Sequence, residues 1–137
     1  MNRHKYLRAY MAGIVVPTIV LVIGVTAFCI ARYVYNFPAP LERVMIFPMA
    51  VVPNLWGLWN MLFLASHSRT RLSIGLHGAL LPFLLGPLGI VLTRTLDFQL
   101  PINIAHVFPV LAVVGLTAYY LSWKYLVGFL NRAVDLA

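Results

Sequence analysis

Four long runs without a charged residue dominate the hydrophobic and polar pattern of the chain. Each run contains between 22 and 26 residues. The flanking charged residues are Arg8 and Arg32, Arg43 and Arg69, Arg71 and Arg94, and Asp97 and Lys124. Because an α-helix rises about 1.5 Å per residue, about 20 apolar residues cross the roughly 30 Å hydrocarbon layer of a bilayer. The pattern therefore predicts an all-α integral membrane protein with four transmembrane helices.

The spacing of these runs also predicts how the helices follow one another. We place the spans at residues 9–33, 42–66, 72–93 and 103–126, within one four-helix domain that covers residues 1–137. Only residues 67–71 separate the second span from the third, so these two helices should be neighbours in a hairpin. The expected architecture is an up-down-up-down bundle.

Composition supports lipid as the solvent for this chain. Hydrophobic residues make up 62% of the sequence and charged residues 9%, against roughly 45–50% and 25% in soluble domains. A soluble domain of 137 residues could not hide so much apolar surface, because a small domain leaves a large part of itself facing water. The first apolar run, residues 9–31, exceeds the roughly 7–15 residues of a signal-peptide core, so we interpret it as a retained anchor.

Basic residues are distributed unevenly between the two sides of the predicted bundle. With the N-terminus inside, seven fall on the cytoplasmic side and three on the other. This positive-inside bias predicts that both termini are cytoplasmic, and a bacterial inner membrane fits the small size and basic inner loops. The net charge of +7 should attract anionic lipid headgroups, whereas nucleic-acid binding is not expected without a soluble surface. The inner set is Arg3, Lys5, Arg8, Arg69, Arg71, Lys124 and Arg132; the outer set is Arg32, Arg43 and Arg94.

Small residues recur at helical spacing and predict where helices pack. Close approach of such residues drives helix association in lipid, where burying leucine gains little. The small residues would either pack the four helices of one bundle together or form the contact between two protomers. We expect a homo-oligomer or a complex with a membrane-protein partner. If the third span forms the interface, Gly78→Leu and Gly86→Leu should dissociate the assembly. The predicted packing residues are Gly75, Gly78, Pro82, Gly86 and Gly89 in the third span and Ala112, Gly115, Ala118 and Ser122 in the fourth; the first span carries Gly13, Pro17, Gly24, Ala27 and Ala31 on one face.

The densest polar patch in an apolar run lies within residues 53–60. An asparagine or tryptophan in hydrocarbon needs a hydrogen-bond partner. These side chains either bind carbonyl groups freed by nearby prolines or contact a solute or lipid headgroup. Two histidines flank the cytoplasmic turn and could approach each other, although ordinary solvation at the interface is the simpler interpretation. The aromatic residues Tyr119, Tyr120, Trp123 and Tyr125 should mark that interface. The candidate polar site comprises Asn54, Trp56, Trp59, Asn60, His67 and His77.

The sequence contains few candidate catalytic or metal-binding residues, and this limits the functions that we predict. The acidic residues are only Glu42, Asp97 and Asp135, and none lies deep in a span, where proton-coupled exporters carry a titrating carboxylate. We predict no catalytic residue, no cofactor and no bound metal. Two hypotheses remain open. The protein is a non-enzymatic component that acts through helix–helix association, or it is a small homo-oligomeric channel or facilitator for a neutral or anionic solute along the Trp56 and Asn60 face.

Overall fold

The structure is a computed structural model and describes residues 4–38, 49–95 and 104–136. Every regular element among these residues is helical. A short π-helical stretch at residues 49–51 precedes the second long helix. The elements are α1 (Lys5–Tyr33), α2 (Val52–Thr70), α3 (Ile74–Thr95), α4 (Ile104–Leu121), a π-helical segment (Ser122–Val127) and α5 (Gly128–Ala133).

Four helical stretches within the described residues are long and apolar enough to cross a membrane. They are Lys5–Tyr33, Met49–Thr70, Ile74–Leu92 and Phe108–Ala133, the last of which runs through α4, the π-helical segment and α5. The all-α class with four candidate membrane spans is therefore confirmed. The helices extend beyond the predicted ends at residues 66 and 126, whereas the predicted starts at residues 42 and 103 lie outside the described residues.

A three-residue connection joins α2 to α3. Arg71 takes a left-handed conformation with φ of 52°, and its N–H bonds to the carbonyl of His67 at 3.1 Å. This is the usual way for a helix to stop, although glycine fills the position more often. Ser73 then starts α3, because its carbonyl accepts the N–H of His77 at 3.0 Å. The connection is thus built from backbone hydrogen bonds at both ends, and it lies at residues 71–73 instead of the predicted residues 67–71.

Glycine allows α1 and α2 to approach within backbone contact. A Cβ atom added to Gly13 would lie 2.7 Å from the carbonyl oxygen of Trp56 and 2.9 Å from the Cα atom of Gly57. A Cβ atom on Gly57 would in turn lie 2.6 Å from the ring of Tyr10. Neither position has room for a side chain, so the two helices pack as closely as glycine pairs permit in lipid.

Tryptophan fills the space between α3 and the π-helical segment. The Trp123 side chain is fully buried, and a Cβ atom on Gly78 would lie only 1.9 Å from its Cγ atom. Gly75 lies in the same way against the ring of Tyr120, at 2.8 Å from an added Cβ atom. The prediction that Trp123 belongs to an interfacial aromatic belt was wrong, because its ring is fully buried in the core.

The buried residues all lie toward one end of the helices. We call residues 4–17, 53–85 and 119–136 the packed half and residues 18–38, 49–52, 86–95 and 104–118 the open half. Every described side chain that is fully enclosed belongs to the packed half, including Leu81 and Val127. In the open half the described side chains are partly or largely exposed, as at Ile23 and Val113. The bundle is therefore close-packed at one end and splayed at the other.

Candidate functional site

A pair of asparagines forms the polar centre of the packed half. The Asn60 side-chain amide donates to Asn131 Oδ1 at 2.7 Å, and the Asn131 amide donates back to Asn60 Oδ1 at 3.0 Å. Asn60 Nδ2 also donates to the carbonyl oxygen of Ala9 at 2.7 Å. Both asparagines are buried. Because a buried amide without partners is costly, this network fixes α2, α5 and α1 relative to one another.

A second reciprocal pair connects α2 to α3. The indole N–H of Trp59 donates to the carbonyl oxygen of His77 at 2.9 Å. His77 Nε2 lies 3.2 Å from the carbonyl oxygen of Trp59. Since a carbonyl oxygen only accepts, Nε2 carries a proton in this arrangement. The two rings also stack with centroids 5.0 Å apart. His77 is thus a buried, hydrogen-bonded packing residue, and the expectation of ordinary solvation does not describe it.

The remaining ring cluster is formed by Trp56, Tyr119 and Trp123. The Trp56 ring centroid lies 5.2 Å from that of Tyr119 and 5.3 Å from that of Trp123, both in tilted arrangements. Within the described part of the chain, the Trp56 ring nitrogen makes no hydrogen bond to a carbonyl, and the enclosed Trp123 ring nitrogen makes no hydrogen bond at all. The cluster is therefore held by ring packing, and Trp56 does not cap a carbonyl freed by proline as one interpretation of the sequence suggested.

The two histidines beside the turn are separated by a phenylalanine. The ring of Phe63 lies 4.9 Å from that of His67 and 5.2 Å from that of His77. His67 is exposed, and its Nδ1 lies 3.2 Å from the carbonyl oxygen of Leu72. A search of residues 4–38, 49–95 and 104–136 finds no group of three or more His, Cys, Asp or Glu side chains that could hold a metal ion. A further histidine, His106, lies near the start of α4, and its side chain is outside the described residues.

Asn54 is separate from the rest of the predicted polar site. Its side chain is exposed and accepts a hydrogen bond from the Tyr10 hydroxyl. It also donates to the carbonyl oxygen of Ala50 at 2.6 Å. The six predicted residues therefore divide into four core partners, of which Trp56, Asn60 and His77 are buried and Trp59 is partly buried, and two exposed positions, Asn54 and His67. The structure brings the core partners together and leaves the other two at the periphery.

Sequence reasoning missed the contribution of Asn131. The residue lies at a spacing of four from Val127 and eight from Trp123, so all three share one helical face. That pattern was available from the sequence, but the residue was placed beyond the fourth predicted span, which ended at 126. The structure instead continues the helix through α5 to Ala133. The spacing alone does not identify Asn131 as the partner of Asn60, because the burial of Trp123 and the register between the two helices are seen only in the structure.

The predicted packing residues divide between the two halves. Gly75 and Gly78 lie against the π-helical segment in the packed half. Farther along α3, Gly86 has no atom within 4 Å of an added Cβ, and the same holds for Gly115 on α4. These two glycines, with Pro82 and Ala112, line an apolar groove of about 360 Å³ between α3 and α4. Gly89 and Ser122 are partly buried and Ala118 is exposed.

Comparison with known proteins gives no relative for this chain. It matches no protein-family model, no curated protein sequence and no solved structure.

Proposed function

We propose that the chain crosses a bacterial inner membrane four times in an up-down-up-down arrangement with both termini in the cytoplasm. Contacts along the helices support alternating directions. Ala9 near the start of α1 meets Asn60 in the middle of α2, and Gly13, one turn later in α1, meets Trp56, one turn earlier in α2. The packed half also carries most of the basic residues, as the positive-inside bias favours for a cytoplasmic side.

We propose further that the protein is a non-enzymatic assembly protein whose partner is a second copy of the same chain. The observation that carries this proposal is the groove between α3 and α4. It lies mostly in the open half and is almost wholly apolar. Its two glycines have no described neighbour within 4 Å of an added Cβ atom. Small residues left uncovered in lipid let another helix approach closely, and such approach drives association in membranes.

Self-association is favoured because one patch carries both projections and recesses. Phe83 and Phe108 lie at the same groove and are 64% and 61% exposed. Gly86 and Gly115 form the recess beside them. A two-fold contact requires a patch that complements itself, because each residue meets the partner's copy of the same surface. A phenylalanine ring from one protomer resting on the glycines of the other would satisfy that requirement.

The test is the mass of the assembly after the recess is filled. Gly86→Leu and Gly115→Leu place side chains into open space, so each protomer should fold while the oligomer dissociates. We expect native mass spectrometry from lipid nanodiscs to show a shift from oligomer to monomer. The matched control is Gly24→Leu, because Gly24 on α1 also has nothing within 4 Å of an added Cβ.

Three results would contradict this proposal. Oligomers that survive both groove substitutions would exclude this groove as the interface. Dissociation by Gly24→Leu alone would move the interface to α1. A monomeric wild-type protein would contradict self-association and direct the search toward a different membrane partner.

Gly78→Leu does not probe assembly, contrary to the expectation from the sequence. Gly78 lies inside the protomer, where an added Cβ would come within 1.9 Å of the Trp123 ring. A leucine there disrupts the protomer itself, so loss of the oligomer would say nothing about the interface. Gly86 remains a valid probe of the same helix because its surroundings are open.

The channel or facilitator stays a second hypothesis with less geometric support. It requires a solute to reach Trp56 and Asn60, but these side chains are 5% and 0% exposed. Asn60 is engaged with Ala9 and Asn131. Loss of flux after Asn60→Leu could therefore result from damage to the core as readily as from damage to a solute pathway. Trp56→Phe is the better variant for flux measurements in liposomes, because it keeps the ring packing and so separates damage to the core from damage to the pathway.

A further inference from the structure

A cavity of mixed polarity lies at the basic end of the packed half. It has a volume of about 350 Å³ and is enclosed by the end of α2, the start of α3 and the end of α5. Ligand sites in proteins commonly have volumes of this order and combine apolar walls with a few polar groups. Three further cavities in the described part of the chain, including the groove between α3 and α4, are lined almost wholly by apolar surface. This cavity therefore differs in kind from the groove proposed for assembly.

The polar wall of the cavity supplies both donors and an acceptor. Arg132 and Ser68 line it, and each can donate to an oxygen anion. His67 also lines it. His67 Nδ1 lies 3.2 Å from the Leu72 carbonyl oxygen, which can only accept, so the neutral tautomer that makes this bond has its proton on Nδ1. The Nε2 atom of His67 then remains an acceptor for a hydroxyl group.

The apolar wall faces the same space. Leu64, Ile74 and Leu136 line the same cavity as the polar groups. A free inorganic anion would leave this wall without a contact. An amphiphile would fill both walls, since its charged group meets the polar wall and its carbon chain meets the apolar one.

The arginine must provide most of the attraction for an anion. Both α2 and α5 end beside this cavity, and the carbonyl ends of helices carry partial negative charge. Asp135 adds a carboxylate three residues after Arg132 in the sequence. Binding of an anion here therefore depends on the guanidinium, which can hold two phosphate oxygens at once.

We propose that this cavity binds one anionic phospholipid bearing a hydroxylated headgroup. Its phosphate lies at Arg132 and Ser68, its headgroup hydroxyl donates to His67 Nε2, and its first acyl carbons pack on Leu64 and Ile74. Phosphatidylglycerol has this chemistry. Phosphatidylcholine lacks the hydroxyl and brings a cation toward the arginine. The proposal does not depend on the assembly proposed above.

The experiment measures lipid retained by the full-length protein. The protein is placed in nanodiscs of equal phosphatidylglycerol and phosphatidylcholine and released in native mass spectrometry, which reports lipids per protomer separately from oligomer size. We expect one retained phosphatidylglycerol per protomer. Arg132→Gln should weaken its binding about tenfold or more, since one charge-assisted bidentate contact is lost. Arg132→Lys should retain part of the binding, because the charge remains but the paired geometry is lost.

The matched control is Arg69→Gln. Arg69 lies in the last turn of α2 and is exposed, so the two variants remove the same charge from neighbouring places. Retained binding in Arg69→Gln supports the site, and circular dichroism of both variants verifies equal helix content. Equal loss in both would show general attraction to a basic surface and overturn the proposal. Displacement of the lipid by millimolar inorganic phosphate would overturn it too, because a free anion would then suffice.

Discussion

Gly78 and Gly86 lie eight residues apart in α3 and meet opposite surroundings. Gly78 is covered by the Trp123 ring, whereas Gly86 has nothing within 4 Å of an added Cβ. The same contrast separates the packed half from the open half as a whole. Small residues permit close approach in both halves. The two halves differ in the residue that faces the glycine: among the described residues, a large ring covers the glycines of α3 only in the packed half. A stripe of small residues therefore indicates where contact is possible, and its neighbours decide whether contact occurs.

The largest expected effect is the difference in stability between Gly78→Ala and Gly86→Ala, which add one methyl group to each of these two environments. We expect Gly78→Ala to lower the free energy of unfolding by about 3 kcal/mol, at the upper end for an overpacked core, because Trp123 is itself fully enclosed. Gly86→Ala should raise it by up to about 1 kcal/mol, because alanine favours the helix and meets no clash there. Unfolding in a denaturing detergent, followed by circular dichroism, measures both. Similar losses in the two variants would mean that the halves do not differ in packing.

A smaller effect is expected from breaking the asparagine pair. Asn60→Leu leaves Asn131 buried without its partner and should cost about 1–2 kcal/mol. Replacing both asparagines by leucine should cost less than the sum of the two single changes, since no amide is then left unsatisfied. A double-mutant cycle of unfolding free energies measures this coupling. Additive losses would indicate that the two amides do not interact.

The smallest effect is expected at the contact between α2 and α3. Trp59→Phe keeps most of the ring but removes the N–H that bonds to the His77 carbonyl, and should cost about 1 kcal/mol. The control is Phe28→Leu in the open half, where the ring is 40% exposed and little change is expected. Thermal unfolding of both variants in one detergent provides the comparison. A larger loss in Phe28→Leu would reveal packing in the open half that the protomer alone does not show.

The membrane class was predictable because the hydrocarbon layer of a bilayer restricts which side chains a helix can carry. A helix in lipid tolerates few charges, so charge-free runs of sufficient length mark it directly. The described helices lie on those runs, and the α2–α3 hairpin forms where the basic turn interrupts them. The small-residue pattern also identified Gly75 and Gly78 as contact positions.

The partners within the core were not predictable in the same way. These helices are apolar on all sides, so no amphipathic face indicates which side meets a neighbour. Trp123 fits an interfacial belt by its sequence position, but the recess at Gly78 determines its burial. The asparagine pair depends on the register between two helices 71 residues apart in sequence, which neither helix encodes alone.

The π-helical segment Ser122–Val127 has a consequence for how the fourth membrane span is divided. Its N–H groups reach back one residue farther than in an α-helix, as from Gly128 to the carbonyl of Trp123. A π-helical turn acts as one extra residue within a helix, and each residue turns an α-helix by about 100°. Deleting one residue here would restore the regular helix and rotate Asn131 away from Asn60. The segment thus shifts the phase of the helix, so that Trp123 meets Gly78 of α3 while Asn131 meets Asn60 of α2.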